Sequence, residues 1–302
     1  MFSRRHPILF FVLMFTAMTL GGIILLSAIF STMLTFSGKT TTPFELGDKV
    51  GVVKIEGAIM DAGDTVDQLK TFRENPSIKA IVVRVDSPGG GVGPSQEIYR
   101  EIRKTSEKKK VVASMGALAA SGGYYVASAA DSIMANPGTI TGSIGVIMSY
   151  TNLEDLFGKI GLSPVVIKSG QYKDIASPVR KMSDEERALL QAFADDLHDQ
   201  FINDVAEGRG MDAGEVRKIA DGRIFSGKRA KELGLIDQLG NLEDAINMAG
   251  RLAGIKGKIV TVYPPQERNL SMIELLTGMS TADLIHQVAT ERTFYGGYLY
   301  QP

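Results

Sequence analysis

Two glycine-flanked segments carry the residue types from which an acyl-transfer site can be built. The first, Asp86-Ser-Pro-Gly-Gly-Gly91, sets three glycines in succession, so backbone amides can approach a reacting group with no side chain between. Such amides suit a phosphate or an oxyanion. The spacing is not G-x-x-x-x-G-K-[ST] and no lysine follows, which argues against nucleotide binding. Read alone, the loop is a tight strand-to-helix turn. The second segment, Ala119-Ala-Ser-Gly-Gly-Tyr-Tyr125, follows the pattern of a nucleophile elbow, with Ala119 in place of the first glycine of G-x-S-x-G. Small neighbours allow a sharp turn that leaves the Ser121 hydroxyl open. The amide of Gly122 then points to where negative charge develops during attack on a carbonyl, helped by the start of a helix. The plain alternative for Ser121 is a helix N-cap.

A serine needs a base nearby to act as a nucleophile. The chain has three histidines, and none has a loop-like, glycine-flanked setting: His6 precedes a long apolar run, His198 falls within a helical pattern and His286 lies in a weakly patterned tail. Lysine is the other known partner of a catalytic serine. At a pKa of about 10.4 roughly one lysine in 2,500 is neutral at pH 7, and bringing that pKa down to about 7 costs roughly 4 kcal/mol, which burial among apolar and hydroxyl groups can supply. Among 33 basic residues Lys173 fits best, in the loop Ser169-Gly-Gln-Tyr-Lys-Asp-Ile-Ala-Ser-Pro178, where small, aromatic and hydroxyl residues surround it. Lys168 is the second choice. Judged as a loop residue alone, either lysine is ordinarily a solvated surface charge.

The elements that must position these groups alternate between short and long. Residues 50–55, 80–85, 111–114, 132–135 and 165–168 read as β-branched strands too short for helices. Helices are expected over 65–74, stopped by Asn75-Pro76, over 94–104 with proline in the first turn, and over 118–130. Repetition of strand and helix implies right-handed crossovers and a largely parallel sheet, an α/β fold, with both glycine segments at strand ends where such sheets bind ligands. Ser183-Asp-Glu-Glu186 is a capping box that opens a helix to about residue 207, with Leu189, Leu190, Phe193, Leu197, Phe201 and Val205 on one stripe facing a core or another subunit. Helices over 213–219, 227–233 and 242–252 and a strand over 259–263 follow.

Composition narrows the function classes. With 33 basic and 34 acidic residues, the net charge of −1 gives no reason to expect nucleic acid as a partner. Cysteine is absent, excluding disulfides, thiolate metal sites and a cysteine nucleophile. No charged residue occurs from Pro7 to Gly38, and residues 8–30 are almost wholly apolar, long enough to cross a bilayer and too long for a cleaved signal peptide. Arg4 and Arg5 before this run favour a cytoplasmic N-terminus, with everything after about residue 38 outside the cytoplasm. The expected organisation is an anchor over 1–38 in contact with lipid through residues 8–30, a polar linker over 39–49, a globular domain over 50–265 and a tail over 266–302.

Four separated motifs, Asp86-Ser-Pro-Gly-Gly-Gly91, Ala120-Ser-Gly-Gly-Tyr-Tyr125, Gly138-Thr-Ile-Thr-Gly-Ser-Ile-Gly-Val146 and Gly170-Gln-Tyr-Lys-Asp-Ile-Ala-Ser-Pro178, make the sequence resemble the short form of the signal peptide peptidase A family, through the anchor and nearly all of residues 50–250. The resemblance implies a serine protease with a fold related to the Clp protease and crotonase families. It implies Ser121 as nucleophile, Lys173 as general base and Ser143 as the residue that orients the lysine. The oxyanion hole would be the amide of Gly122 with that of Gly89 or Gly90. No metal or organic cofactor is implied. It further implies cleaved signal peptides as substrates, a single-pass protein of the bacterial inner membrane, and a ring of identical subunits in which neighbouring chains supply serine and lysine to one site. A crotonase-like acyl-thioester enzyme shares the oxyanion logic, but an extracytoplasmic anchor suits a coenzyme A substrate poorly. A non-catalytic membrane scaffold of the same fold is the third reading.

Overall fold

The computed structural model describes residues 7–36 and 47–265; the tail over 266–302 and most of the expected linker lie outside the described residues. Two compact units divide at Leu46/Gly47. The first contains helix α1 (Pro7–Phe36), 30 residues without one charged side chain. Side chains in α1 are described for residues 8, 11, 12 and 14–27, and the large apolar ones among them, including Phe15, Met18 and Leu26, are exposed. Among the described residues no helix is long and apolar enough to cross a membrane.

The second unit is built on β1 (Lys49–Glu56), β2 (Ile78–Ser87) and β3 (Lys110–Ala120), which pair in parallel. Helices α2 (Gly63–Glu74) and α3 (Val92–Ser106) make the crossovers. Side chains alternate between faces. Val53, Ile81, Val83, Val111 and Ala113 enter one apolar cluster, while Val50, Val52, Ala80, Val82 and Val112 enter another, closed by Ala245, Ile246 and Ala249 of a later helix. Burial on both faces explains why these strands read as unbroken apolar runs.

Strand β3 forks the sheet. Its first half pairs with β4 (Ser132–Ala135), its last three residues with β5 (Ile140–Gly142). At the fork, Val85 faces Met115 but Ser87 faces Ala119, so β3 carries two more residues than β2 over this stretch. Asp86 bridges the irregularity: its carboxylate accepts the amide of Leu118 at 3.1 Å, and a Cβ on Gly116 would lie 2.6 Å from that carboxylate. Thr139 donates its hydroxyl to Gly116 O at 2.7 Å, holding the fork from the other side.

Helix α4 (Gly122–Ser128) follows β3 at once, then come α5 (Glu154–Lys159), α6 (Asp184–Arg209), α7 (Ala213–Ile219), β6 (Ile224–Ser226), α8 (Gly227–Glu232), β7 (Gln238–Leu239), α9 (Leu242–Leu252) and β8 (Val260–Val262). The sheet order is β6-β5-β3-β2-β1-β8, with β4 and β7 branching from β3, and among the described residues only the β5–β6 pair is antiparallel. The expected α/β class with a largely parallel sheet is therefore observed. The capping box at Ser183 and Glu186 is present, and α6 ends two residues beyond the expected 207.

Two expectations are corrected. Residues 118–130 are not one helix: residues 118–120 belong to β3, because pairing to β2 and β5 outweighs the helical preference of an Ala-Leu-Ala-Ala run. Residues 165–168 form no strand. Val165 and Ile167 are 87% and 97% exposed, since β-branched residues make a strand only where a neighbouring strand takes up their backbone groups. The stripe on α6 is likewise divided: Phe201 and Val205 enter the core, whereas Leu189 and Phe193 are exposed.

Candidate active site

The fork delivers the chain to Ser121, whose backbone adopts φ 52° and ψ −121°. A residue with a side chain rarely holds positive φ, and here both backbone groups are pinned. The Ser121 amide donates to Gly142 O at 2.9 Å and its carbonyl accepts from Tyr125 N at 2.8 Å. The hydroxyl makes no capping bond and has no hydrogen-bond partner among the described residues, so the N-cap reading does not apply. Ser121 is half-buried, and its neighbours Gly122 and Gly123 are buried.

Glycine is required around this turn by proximity. Gly89, at φ +100°, could not carry a Cβ without bringing it within 2.6 Å of Gly122 N and 3.0 Å of Ser121 Cβ. A Cβ on Gly122 would lie 2.6 Å from Ser95 Oγ and 3.2 Å from Gly90 N. The two glycine segments, 30 residues apart in sequence, thus interlock backbone to backbone. Their amides are used differently. Gly89 N donates to the buried Ser87 Oγ at 3.1 Å and Gly91 N donates to Ile59 O at 2.8 Å, while the N–H groups of Gly90 and Gly122 bond no described residue. Of the two candidates in the first glycine segment, Gly90 has the open amide.

Ser143 comes to the same place. Ala120 pairs with Gly142, so Ser121 and Ser143 each take the next step along adjacent parallel strands, which lie about 4.8 Å apart. Ser143 also holds positive φ, 53°, with its amide on Arg223 O at 2.8 Å and Ile144 buried beyond it. Its hydroxyl, too, has no partner among the described residues.

Lys173 makes no hydrogen bond to either serine. It lies on an exposed turn, its amide reaches Gly170 O at 3.4 Å, and its ammonium makes no hydrogen bond or ion pair among the described residues. Lys168 is committed elsewhere, ion-paired to Asp174 and donating to Gln171 O at 2.8 Å. His198 is half-buried on α6 with Nε2 enclosed and unbonded. His6 and His286 lie outside the described residues. Among the described residues no cluster of histidine and carboxylate side chains is placed to hold a metal ion.

The residues beneath this geometry were invisible as chemistry in the sequence. In the sequence Ser87 and Asp86 look like parts of a glycine turn, yet one fixes the Gly89 amide and the other fixes the fork. Glu186 was read only as a capping residue, and it also binds Arg180.

Known proteins resemble the chain over the same region. Residues 103–256 match peptidase family S49 and residues 49–139 match Clp protease. A Synechocystis sp. protein named as a protease, slr0021, is 47% identical over 243 residues, 78% of this chain and 86% of that one. An Enterococcus faecium protein named as a signal peptide peptidase SppA is 39% identical over 213 residues, 66% of this chain and 62% of that one. Protease 4 of Salmonella typhi is 35% identical over 254 residues, 80% of this chain but 41% of its own length. The free serine at a strained strand-to-helix turn falls inside the S49 match, which takes in just over half of the chain. With the Synechocystis relative matched over most of its length at so high an identity, the chain belongs to peptidase family S49 and is a serine-type peptidase.

Proposed function

We propose that the protein is a membrane-anchored endopeptidase that degrades remnant signal peptides with Ser121 as nucleophile and Lys173 as general base, the two supplied by neighbouring copies of the chain. The observation that carries this reading is the Ser121 turn itself: a strained backbone, an unbonded hydroxyl and two unbonded amides, Gly90 and Gly122, beside it.

Neutral Lys173 takes the proton from Ser121 Oγ as the oxygen attacks the peptide carbonyl. The amides of Gly90 and Gly122 stabilise the tetrahedral oxyanion, and one such donor contributes about 3 to 4 kcal/mol in related chemistry. The lysine then passes its proton to the departing amine. Water, activated by the same lysine, releases the acyl group from Ser121. Ser143, level with Ser121 on the adjacent strand, accepts a hydrogen bond from the lysine and aims it.

Sharing between subunits is supported by the state of Lys173, exposed and without a partner among the described residues, and by the apolar side chains exposed just before it, Leu162, Val165, Val166 and Ile167. An approaching subunit would cover this surface and take the lysine out of water. The uncharged helix α1 supports anchoring in the bacterial inner membrane, with residues 8–30 in lipid, the N-terminus cytoplasmic and the peptidase domain outside. Signal peptides are apolar and membrane-bound, so an anchored enzyme meets them at high local concentration, and a relative carries that substrate in its name.

Mixing tests the shared site. Ser121→Ala and Lys173→Ala chains, each inactive alone, are expected to recover peptide hydrolysis when co-assembled, since a mixed ring contains intact serine–lysine pairs. Mixed rings that stay inert after co-assembly has been demonstrated would refute sharing.

A further inference from the structure

The turn that carries Lys173 is fastened on both sides of the lysine to one place, the first turn of α6. Before it, Tyr172 donates its hydroxyl to Glu185 Oε1, and Gln171 Nε2 approaches Glu185 Oε2 at 3.5 Å. After it, Asp174 is held by Arg180. The guanidinium donates through Nε to Asp174 Oδ2 at 2.8 Å, and through one terminal nitrogen to Asp174 Oδ1 at 2.9 Å and Asp174 O at 3.1 Å. The other terminal nitrogen donates to Lys181 O at 3.1 Å and Glu186 Oε2 at 2.8 Å, and the first also reaches Glu186 Oε1. Glu186 in turn accepts the amide of Ser183 at 2.9 Å and completes the capping box.

We propose that Arg180 is a positioning residue for the proteolytic reaction, a planar fork that ties the Lys173 turn to the capped start of α6 so that the lysine is presented in one orientation. The inference rests on the reading of Lys173 as general base. Three features distinguish it from an ordinary surface ion pair. The fork is bidentate on each carboxylate, a geometry that lysine cannot reproduce. Asp174 and Glu186 keep only 12% and 6% of their side-chain surface exposed, so the bonds are sheltered from water. The fork also takes the backbone carbonyl of Asp174, fixing main chain one residue from the lysine. Ion pairing keeps both carboxylates well below their usual titration range, so the mount persists at every pH where a lysine base could work.

A loosely held lysine would lose productive encounters with Ser121 without weakening peptide binding. The charged groups around the turn are Lys168, Asp174, Arg180, Glu185 and Glu186. Carboxylates already outnumber cations by one among these groups, and removing Arg180 raises that excess to two.

The test measures kcat, KM and the pH profile of full-length Arg180→Gln and Arg180→Lys, with Lys173→Ala beside them. The expected result is a kcat reduced at least 10-fold in Arg180→Gln with KM within 2-fold, an ascending pH limb displaced to higher pH, and only partial recovery in Arg180→Lys. An inactive Lys173→Ala together with a folded, assembled Arg180→Gln of normal kcat and pH profile would overturn the inference alone. An active Lys173→Ala would overturn the base reading and the inference with it. Should Arg180→Gln fail to fold, Tyr172→Phe, which releases the other tether and keeps the ring, is expected to lower kcat in the same sense. A normal kcat there overturns the two-sided mount.

Discussion

Ser121, the proposed nucleophile, adopts a backbone conformation that opposes folding and leaves its hydroxyl unbonded among the described residues. A non-glycine residue at positive φ costs on the order of 1 to 3 kcal/mol, and here the hydrogen bonds to Gly142 and from Tyr125 enforce it. Two substitutions separate that conformational term from chemistry. Ser121→Gly and Ser121→Ala both abolish hydrolysis, but the glycine variant is expected to be the more stable by about 1 kcal/mol, because it alone adopts this φ without strain. Thermal unfolding of the two proteins side by side measures the difference, and equal midpoints would mean that the turn is unstrained. The glycine-flanked serine was legible in the sequence. That its hydroxyl does not cap α4, and that Gly90 rather than Gly89 keeps an open amide, was not, because both depend on partners brought from elsewhere in the chain.

The elements differ in what holds them. Strands β1 to β3 follow from two-sided burial, which writes itself into the sequence as runs of valine and isoleucine. The fork in β3 follows from Asp86, Gly116 and Thr139, single residues with no periodic signature. Helix α6 begins on a capping box whose glutamate also holds Arg180, and this arrangement gives a pH dependence of known sign. Pairing to Arg180 and the Ser183 amide lowers the Glu186 carboxyl to about 2, below the value of about 4.3 for an unfolded chain. Its contribution to stability is therefore complete above about pH 5 and disappears as pH falls from about 4 toward 2. The difference in unfolding midpoint between wild type and Glu186→Gln is expected to be constant from pH 8 to about 5 and to close below about 4. A difference unchanged at about pH 2 would show that the lost capping geometry, not the charge, is responsible.

For the whole molecule, the segment between Ser143 and the Lys173 turn is where a single chain leaves its surface unfinished. Ile147, Leu156, Ile160, Val165 and Ile167 are all exposed, in contrast to the closed clusters on both faces of the sheet. Exposed apolar surface of this extent is what the proposed assembly would have to cover. Ile167→Asp is expected to leave the domain folded, to reduce the size of the assembly in sedimentation analysis and to lower peptide hydrolysis at least 10-fold under the shared-site reading, since an unpaired charge is costly at an apolar contact. Full activity from a demonstrated monomer would remove the shared site.

By itself the sequence determined the α/β class, the parallel core strands, the capped long helix and the serine in its glycine setting, because each is encoded by neighbours a few residues apart through periodicity, capping or the absence of side chains. Only the tertiary structure decided that residues 165–168 have no strand partner among the described residues, that Leu118 to Ala120 extend β3, that Ser143 stands level with Ser121, and that Lys173 makes no hydrogen bond to either serine. These depend on which segments lie side by side after folding, and the free energy of a strand pair or a desolvated lysine belongs to the contact between segments rather than to either sequence alone.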